Sequence, residues 1–181
     1  PTLEDFCRFF TQTLSKVLGH IGKQWELNAI TVAQEHRATA LIREAVFALF
    51  EHYPLCSPRG EKFFLSSATG EEHTFGLKLT SKILHHLGYE VAMLGSKFSK
   101  DDVVSALYEF EPKHILFVLT LPTSLMGIAE LIAQIQKENL VVSPKCYVAG
   151  QAVRALNNPY TSLECDYYFE DFMHFYQKFS L

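Results

Sequence analysis

Lys62-Phe-Phe-Leu-Ser-Ser-Ala-Thr-Gly-Glu-Glu-His-Thr-Phe-Gly76 joins a β-prone apolar run to a polar loop and to the start of a helix. Lys62–Ser67 has the length and the aromatic content of a buried strand. The amphipathic pattern of Gly76–Leu87 predicts a helix directly after the loop. A strand that passes through a short loop into a helix is the opening unit of a parallel α/β fold.

The same alternation continues to the end of the chain. The other strand candidates are Glu90–Leu94, His114–Leu119, Lys145–Val148 and Asp166–Phe169. The other helix candidates are Ser99–Phe110, Leu125–Glu138, a short helix after Gln151, and Glu170–Phe179. Five strands with intervening helices predict right-handed crossovers and a Rossmann-like, doubly wound parallel five-stranded sheet.

The part of the chain before this α/β unit is predicted to be helical. Apolar residues recur at helical spacing over Phe6–Ile21, and a break is expected at Gly19–Gly22. A second helix is predicted from about Trp25 to Tyr53, where Pro54 ends it. Two helices amount to about half of a four-helix bundle, so this helical cap is a partial bundle.

A linker is predicted at Pro54–Glu61, which contains two prolines and a glycine. We therefore predict two domains, a helical cap subdomain at residues 1–56 and a Rossmann-like domain at residues 57–181.

Composition excludes several classes of protein. The 181 residues carry a net charge of −4, which argues against direct nucleic-acid binding by this segment. No apolar run approaches the roughly 20 residues of a membrane span, and the polar N-terminal stretch does not read as a secretory leader. The four cysteines form no C-x-x-C pair, so reduced thiols and a cytoplasmic location are expected. No G-x-S-x-G elbow is present, and we expect a binding protein more than an enzyme.

Doubly wound sheets bind ligands at the carboxyl ends of their strands. The loop after the first strand lacks a glycine-rich phosphate cradle but contains Glu71-x-His73-x-x-Gly76, here called the loop motif. His73 could ligate a metal through one ring nitrogen while Glu71 accepts a hydrogen bond from the other. Gly76 would let a bulky ligand approach the helix start. A histidine that caps the helix or faces solvent is the alternative interpretation.

A second group of candidate residues lies on the predicted second helix. At about 100° per residue, Trp25, Val32, Glu35 and His36 fall on one face of that helix. Apolar, aromatic and polar groups together suit a ligand that has both an apolar surface and hydrogen-bonding groups. The alternative is that Trp25 and Val32 are core residues with polar neighbours at the edge. We call Trp25-x9-Glu35-His36, together with Val32 inside it, the helix motif.

Together, the loop motif and the helix motif resemble the cobalamin-binding domains of CarH-type light-sensing regulators, over nearly the whole chain. The resemblance implies that His73 is the lower axial ligand of cobalt and that Glu71 is its hydrogen-bond partner. It also implies that the dimethylbenzimidazole of the cofactor is displaced into a slot in the α/β domain. Gly76 would allow close passage of this nucleotide tail.

The resemblance assigns the helix motif to the upper face of the cofactor. Trp25, Val32, Glu35 and His36 would cover the position of an adenosyl group, with Glu35 placed to hydrogen-bond it. In the regulators, the residue directly after this tryptophan is a histidine that ligates cobalt after photolysis. Glu26 stands there in this chain, so a bis-histidine state through that position is not available.

The resemblance also extends to two loops that would line the nucleotide tail. After the third strand, the loop Leu119–Ser124 supplies the hydroxyl groups of Thr120 and of Ser124 or Thr123. After the fourth strand, Ala149-Gly150-Gln151 corresponds to a loop with two glycines, the first of which is Ala149 here. Gly150 and Gln151 therefore join the candidate binding residues.

The leading hypothesis is a light-responsive sensor that holds adenosylcobalamin under its cap. It would act through a regulatory protein partner, a fused output domain or a second copy of the chain. One alternative is a corrinoid carrier for methyl transfer. Another is a haem or bilin sensor on the same scaffold, since His73 would serve haem iron nearly as well.

Overall fold

The computed structural model describes residues 2–68, 71, 74–95, 98–156 and 162–180. Its centre is a sheet of five parallel strands in the order β2-β1-β3-β4-β5. The strands are β1 (Lys62–Ser66), β2 (Glu90–Leu94), β3 (His114–Val118), β4 (Lys145–Ala149) and β5 (Tyr167–Phe169). This parallel sheet confirms the predicted Rossmann-like, doubly wound α/β fold. Its strands coincide with short apolar runs bounded by polar loops, which is the pattern that predicted them.

The cap is a hairpin of two long helical segments. The first begins as α1 (Leu3–Phe9), passes through a π-helical turn at Phe10–Leu14 and continues as α2 (Ser15–Glu26). The second is α3 (Val32–Phe50). The predicted partial bundle of two helices is therefore confirmed, although its turn is not where the sequence predicted it.

The predicted break at Gly19–Gly22 is wrong, because both glycines lie inside α2. A Cβ atom at either glycine would meet nothing within 4 Å, and a glycine in an exposed helix costs only about 1 kcal/mol. The helix ends instead at Glu26, and Asn28, whose φ of 56° is left-handed, turns the chain away from it. The amide of Asn28 donates to the carbonyl of Trp25 at 2.9 Å, which closes a Schellman-type C-terminus.

This correction separates the members of the helix motif. Trp25 lies near the end of α2, whereas Val32, Glu35 and His36 lie in the first turns of α3. The expectation that all four share one face of a single helix is therefore wrong. A capping box between Thr31 and Gln34 begins α3 and fixes the new helix start.

The helices of the α/β domain cover both faces of the sheet. They are α4 (Phe75–His86), α5 (Lys100–Phe110), α6 (Leu125–Lys137), α7 (Gln151–Arg154) and α8 (Phe172–Phe179), and a 3₁₀ turn at Pro122–Ser124 precedes α6. Helices α4 and α8 share one core with the cap, and α5, α6 and α7 share the core on the opposite face. No helix in these described ranges is long and apolar enough to cross a bilayer.

Aromatic side chains join the cap to the α/β domain. Phe10 contacts Phe172 of α8 with ring centroids 4.8 Å apart. Phe47 contacts Phe75 at the start of α4 at 5.7 Å, and Phe50 contacts His86 at its end at 5.3 Å. The cap therefore packs on the same face of the sheet as α4 and α8.

The segment predicted to be a linker has no regular secondary structure, but it is held along the end of α4. The amide of Cys56 donates to the carbonyl of His86 at 2.8 Å, and the amide of Arg59 donates to that of Gly88 at 2.8 Å. The side chain of Arg59 also donates to the carbonyl of Leu87 at 2.8 Å. The division at residues 56 and 57 stays a prediction.

Candidate functional site

The strand order places the candidate site between β1 and β3. In the order β2-β1-β3-β4-β5 the chain direction across the sheet reverses at this pair, so the loops that follow β1 and β3 diverge and leave a crevice. These loops carry Glu71 on one side and residues 119–124 on the other. The sheet therefore brings together two of the groups that the sequence singled out.

Glu71 ties the two loops to each other. Its side chain is 1% exposed. Oε1 accepts a hydrogen bond from the backbone amide of Thr120 at 2.6 Å, and Oε2 accepts one from the hydroxyl of Ser124 at 3.1 Å. A carboxylate has about four lone-pair positions and can accept several hydrogen bonds at once. His73 lies outside the described residues, and its role as a metal ligand stays a prediction.

Gly76 is the second residue of α4 and faces the end of β3. A Cβ atom at this position would lie 3.5 Å from Cγ1 of Val118, which is ordinary van der Waals contact. The surrounding backbone therefore does not by itself demand a glycine here. A ligand that requires this space stays a prediction.

Gly150 is required by the protein's own backbone. Its φ is +113°, and a Cβ atom would lie 2.1 Å from the carbonyl oxygen of Leu119. The amide of Leu119 donates to the carbonyl of Ala149 at 2.8 Å, and the amide of Ala152 donates to that of Leu119 at 3.2 Å. Gly150 therefore lets the loops after β3 and β4 lie against each other, with exposed Gln151 beginning α7.

A small cavity of about 130 Å³ opens between the end of β1 and the starts of α5 and α6. Thr123 and Ser124 line it together with Ser67, Val103 and Ile128. Ser67 is 4% exposed, and within the described ranges its hydroxyl oxygen has no hydrogen-bond partner. Buried hydroxyls normally have such a partner.

The size and the chemistry of this cavity suit one flat ring. An apolar protein cavity of about 150 Å³ is large enough for benzene. A ring with a nitrogen or oxygen acceptor would also satisfy the Ser67 hydroxyl. The displaced dimethylbenzimidazole that the resemblance implies has two fused rings and two methyl groups, so this cavity would have to widen to receive all of it. Sequence reasoning missed Ser67, although its place directly after β1 was a usable signal.

The helix motif stands beyond the carboxyl edge of the sheet. Phe47 lies against the start of α4 and Phe50 against its end, so the residues of α3 before Phe47 extend past the start of α4. His36 precedes Phe47 by eleven residues, which is about 16 Å along a helix and within about 20° of the same direction around it. Glu35 has the same relation to buried Val46. Both polar residues therefore share the helix face that meets the α/β domain.

Contacts within the cap order this polar pair. The Oγ1 hydroxyl of Thr39 donates to Oε1 of Glu35 at 2.9 Å, and Oε2 of Glu35 lies 2.7 Å from Nδ1 of His36. Trp25 and Val32 flank the turn of the hairpin and are 46% and 55% exposed. Exposed apolar side chains beside an ordered polar pair form a surface that can cover a large ligand of mixed polarity.

Comparisons with known proteins agree with this geometry. A family model described as B12 binding domain matches residues 61–171, and a second model with the same description matches residues 3–49. The HTH-type transcriptional repressor CarH of Myxococcus xanthus is 31% identical over 106 residues, which are 59% of this chain and 35% of that protein. The chain thus spans about a third of the length of this relative.

Two solved structures share the fold. A cobalamin-binding protein from Desulfitobacterium hafniense DCB-2 is 16% identical with a TM-score of 0.59, and the match covers 97% of this chain and 82% of that one. The monomethylamine corrinoid protein of Methanosarcina barkeri is 20% identical with a TM-score of 0.69, and the match covers 88% of this chain and 75% of that one. Both structures therefore have a fold like that of this chain, at low sequence identity.

Proposed function

The chain belongs to the B12-binding domain family, and we propose that it is a light-responsive sensory module that holds adenosylcobalamin beneath its helical cap. Cobalamin is the cofactor that the family and its relatives indicate. The observation that carries the proposal is the ordered pair of Glu35 and His36 on the cap face above the carboxyl edge. The likeness to the CarH repressor supports it.

We assign the lower half of the site to the α/β domain. His73 is the proposed cobalt ligand, and Glu71 holds its imidazole by accepting the second ring N–H. The loops with Thr120, Thr123 and Ser124, together with the cavity at Ser67, receive the nucleotide tail. Gly150 and Gln151 border it after β4.

We assign the upper half to the cap. Trp25 and Val32 supply an apolar cover, and the Glu35 carboxylate accepts hydrogen bonds from the hydroxyls of an adenosyl group. A methyl group would use neither the aromatic surface nor the acceptor. A carrier for methyl transfer is therefore the weaker proposal.

The response to light follows from contacts that depend on the adenosyl group. When bound, cobalamin supplies a cobalt–carbon bond that light breaks. Trp25 and Glu35 then lose their partner, and the hairpin no longer prefers the packing that this partner stabilised. Such a switch needs a difference of a few kcal/mol between the two packings.

We propose that the output is a change in protein association inside the cytoplasm. The segment has a net charge of −4, which does not favour direct contact with nucleic acid. The cap exposes large apolar side chains that a regulatory protein, a fused output domain or a second copy could cover: Phe9, Val17, Leu27, Leu41 and Leu49. Regulation of transcription through such a partner is the proposed role.

Absorption spectra of the purified chain with adenosyl-, methyl- and hydroxocobalamin, before and after green illumination, test this proposal. We expect tight binding of the adenosyl form and a lasting spectral change in light, with a change in elution volume on size exclusion. A methylcobalamin complex that is equally tight and stable in light would support a carrier instead. A Soret band without corrin bands would indicate haem. His73→Ala should remove the histidine-ligated spectrum while the far-ultraviolet circular dichroism stays unchanged.

A further inference from the structure

The ring of His36 is held in one tautomer. Its Nδ1 atom lies 3.0 Å from the carbonyl oxygen of Val32 and 2.7 Å from Oε2 of Glu35. A carbonyl and a carboxylate only accept hydrogen bonds, so Nδ1 must carry the proton. The neutral imidazole therefore has its lone pair on Nε2.

The carboxylate partner of His36 is less exposed than the ring itself. The Glu35 side chain is 22% exposed and accepts a hydrogen bond from Thr39, whereas the His36 side chain is 75% exposed. The two acceptors thus hold Nδ1 while most of the ring stays accessible. A histidine whose Nδ1–H is bound by a carboxylate or a carbonyl is typical of metal ligands, because that contact orients the ring and raises the basicity of Nε2.

The position of His36 suits a ligand on the upper face of a corrinoid. Its Cα has the direction of Phe47 around α3 within about 20°, and Phe47 contacts Phe75 at the start of α4. Phe75 lies inside the loop motif, two residues after His73 in the sequence. His36 therefore lies on the cap face that looks toward the carboxyl edge, about 16 Å beyond the Phe47 contact.

We propose that Nε2 of His36 binds cobalt at the upper position whenever that position carries only a water molecule. The proposal rests on the proposed cobalamin binding and deepens it. The Nε2 lone pair forms the new nitrogen–cobalt bond, and the cobalt–oxygen bond breaks as water leaves with its electron pair. No electron is transferred, and His36 keeps its proton on Nδ1. A corrinoid with an alkyl group at the upper position has no place for this ligand.

The test compares His36→Ala with the natural chain, using aquocobalamin and methylcobalamin as separate probes in the dark. We expect the variant to bind aquocobalamin about tenfold more weakly or worse, since loss of a metal ligand costs at least as much as loss of its orienting partner. Its visible bands should move toward those of a water-ligated complex, and added imidazole should restore them. Methylcobalamin affinity should stay the same within about twofold, because its upper position is blocked.

His20→Ala is the matched control. His20 is an exposed histidine on α2 of the same hairpin, and none of the described residues hydrogen-bonds its ring. This variant should leave both affinities and both spectra unchanged. The thermal midpoint of each cofactor-free variant shows that the cap is still folded.

Nitrogen-15 NMR of the cofactor-free chain adds a readout that needs no corrinoid. The His36 ring should be protonated on Nδ1 when neutral, and protonation on Nε2 would overturn the inference. Equal aquocobalamin spectra and affinities for His36→Ala and the natural chain would also overturn it, while leaving the proposed function intact. An equal loss for both probes would make His36 a packing residue. If the natural chain bound neither probe, both proposals would be wrong.

Discussion

Replacing Glu71 with alanine should loosen the site more than any exposed substitution. Its buried carboxylate accepts hydrogen bonds from the Thr120 amide at 2.6 Å and from the Ser124 hydroxyl at 3.1 Å. It therefore joins the loop after β1 to the loop after β3, whose two donors lie 49 and 53 residues further along the chain. Alanine would remove both acceptors and leave the Thr120 amide without this partner. Glu71→Gln keeps the shape and one carbonyl-type acceptor.

The magnitude follows from these two contacts. A hydrogen bond to a charged group contributes about 1.5–3 kcal/mol, so the lower limit for two is about 3 kcal/mol. In a domain of this size that corresponds to a midpoint lower by about 6–12 °C. Glu71→Gln should lose about half as much, because its amide oxygen still accepts from Thr120. Glu109→Ala, at an exposed position of α5, should stay within about 0.5 kcal/mol.

Urea unfolding of the cofactor-free chain measures these differences directly. We expect the free energy of unfolding to be highest for the natural chain, lower for Glu71→Gln and lowest for Glu71→Ala. The slope of the free energy against urea concentration should be the same for all three proteins. Cobalamin affinity should fall in the same order, since the loops that Glu71 joins carry the proposed tail contacts. If Glu71→Ala lost no more than Glu109→Ala, the carboxylate would not be what joins the loops.

Three further outcomes are expected. Gly150→Ala should lower the free energy of unfolding in urea by about 3 kcal/mol or more. The φ of +113° is strained for alanine, and the new Cβ atom would meet the Leu119 carbonyl. An unchanged urea midpoint would refute this. Burial holds the pKa of His114 below its ordinary 6.5, against the opposing effect of Glu61. Because the unfolded chain then binds more protons than the folded chain, the free energy of unfolding should fall as the pH drops below about 6.5. His114→Gln should flatten that slope, and an equal slope in both proteins would contradict it. Trp25→Ala should weaken adenosylcobalamin binding more than methylcobalamin binding in titrations, whereas an equal loss would mean that Trp25 does not contact the adenosyl group.

The sheet could be predicted because each strand is a short apolar run between polar loops. Lys145–Ala149 and Glu90–Leu94 illustrate this, since their neighbours in sequence break the pattern. The hairpin turn was predicted at the wrong place because Gly19 and Gly22 were interpreted as helix breakers, although both lie inside α2. The stronger signals were Asn28, which takes a left-handed conformation, and Thr31, which begins a capping box.

Contacts between distant residues lay beyond the reach of the sequence. The spacing of the loop motif gave Glu71 a partner in His73, but not the backbone amide of Thr120, because that contact depends on how β1 and β3 pair. The hydrogen bond of 3.0 Å between Glu61 and His114 at the opposite edge of the sheet depends on the same pairing. The Ser67 hydroxyl, which no described residue hydrogen-bonds, is likewise recognised only once α5 and α6 enclose it.

A crystal structure of the chain grown with adenosylcobalamin in the dark would show directly how the cofactor is held. We expect an imidazole nitrogen of His73 on the lower face of cobalt and dimethylbenzimidazole in the cavity beside Ser67. We also expect the adenosyl group to contact Trp25 and Glu35. Dimethylbenzimidazole still bound to cobalt, with His73 turned away from the metal, would show that the proposed binding mode is wrong.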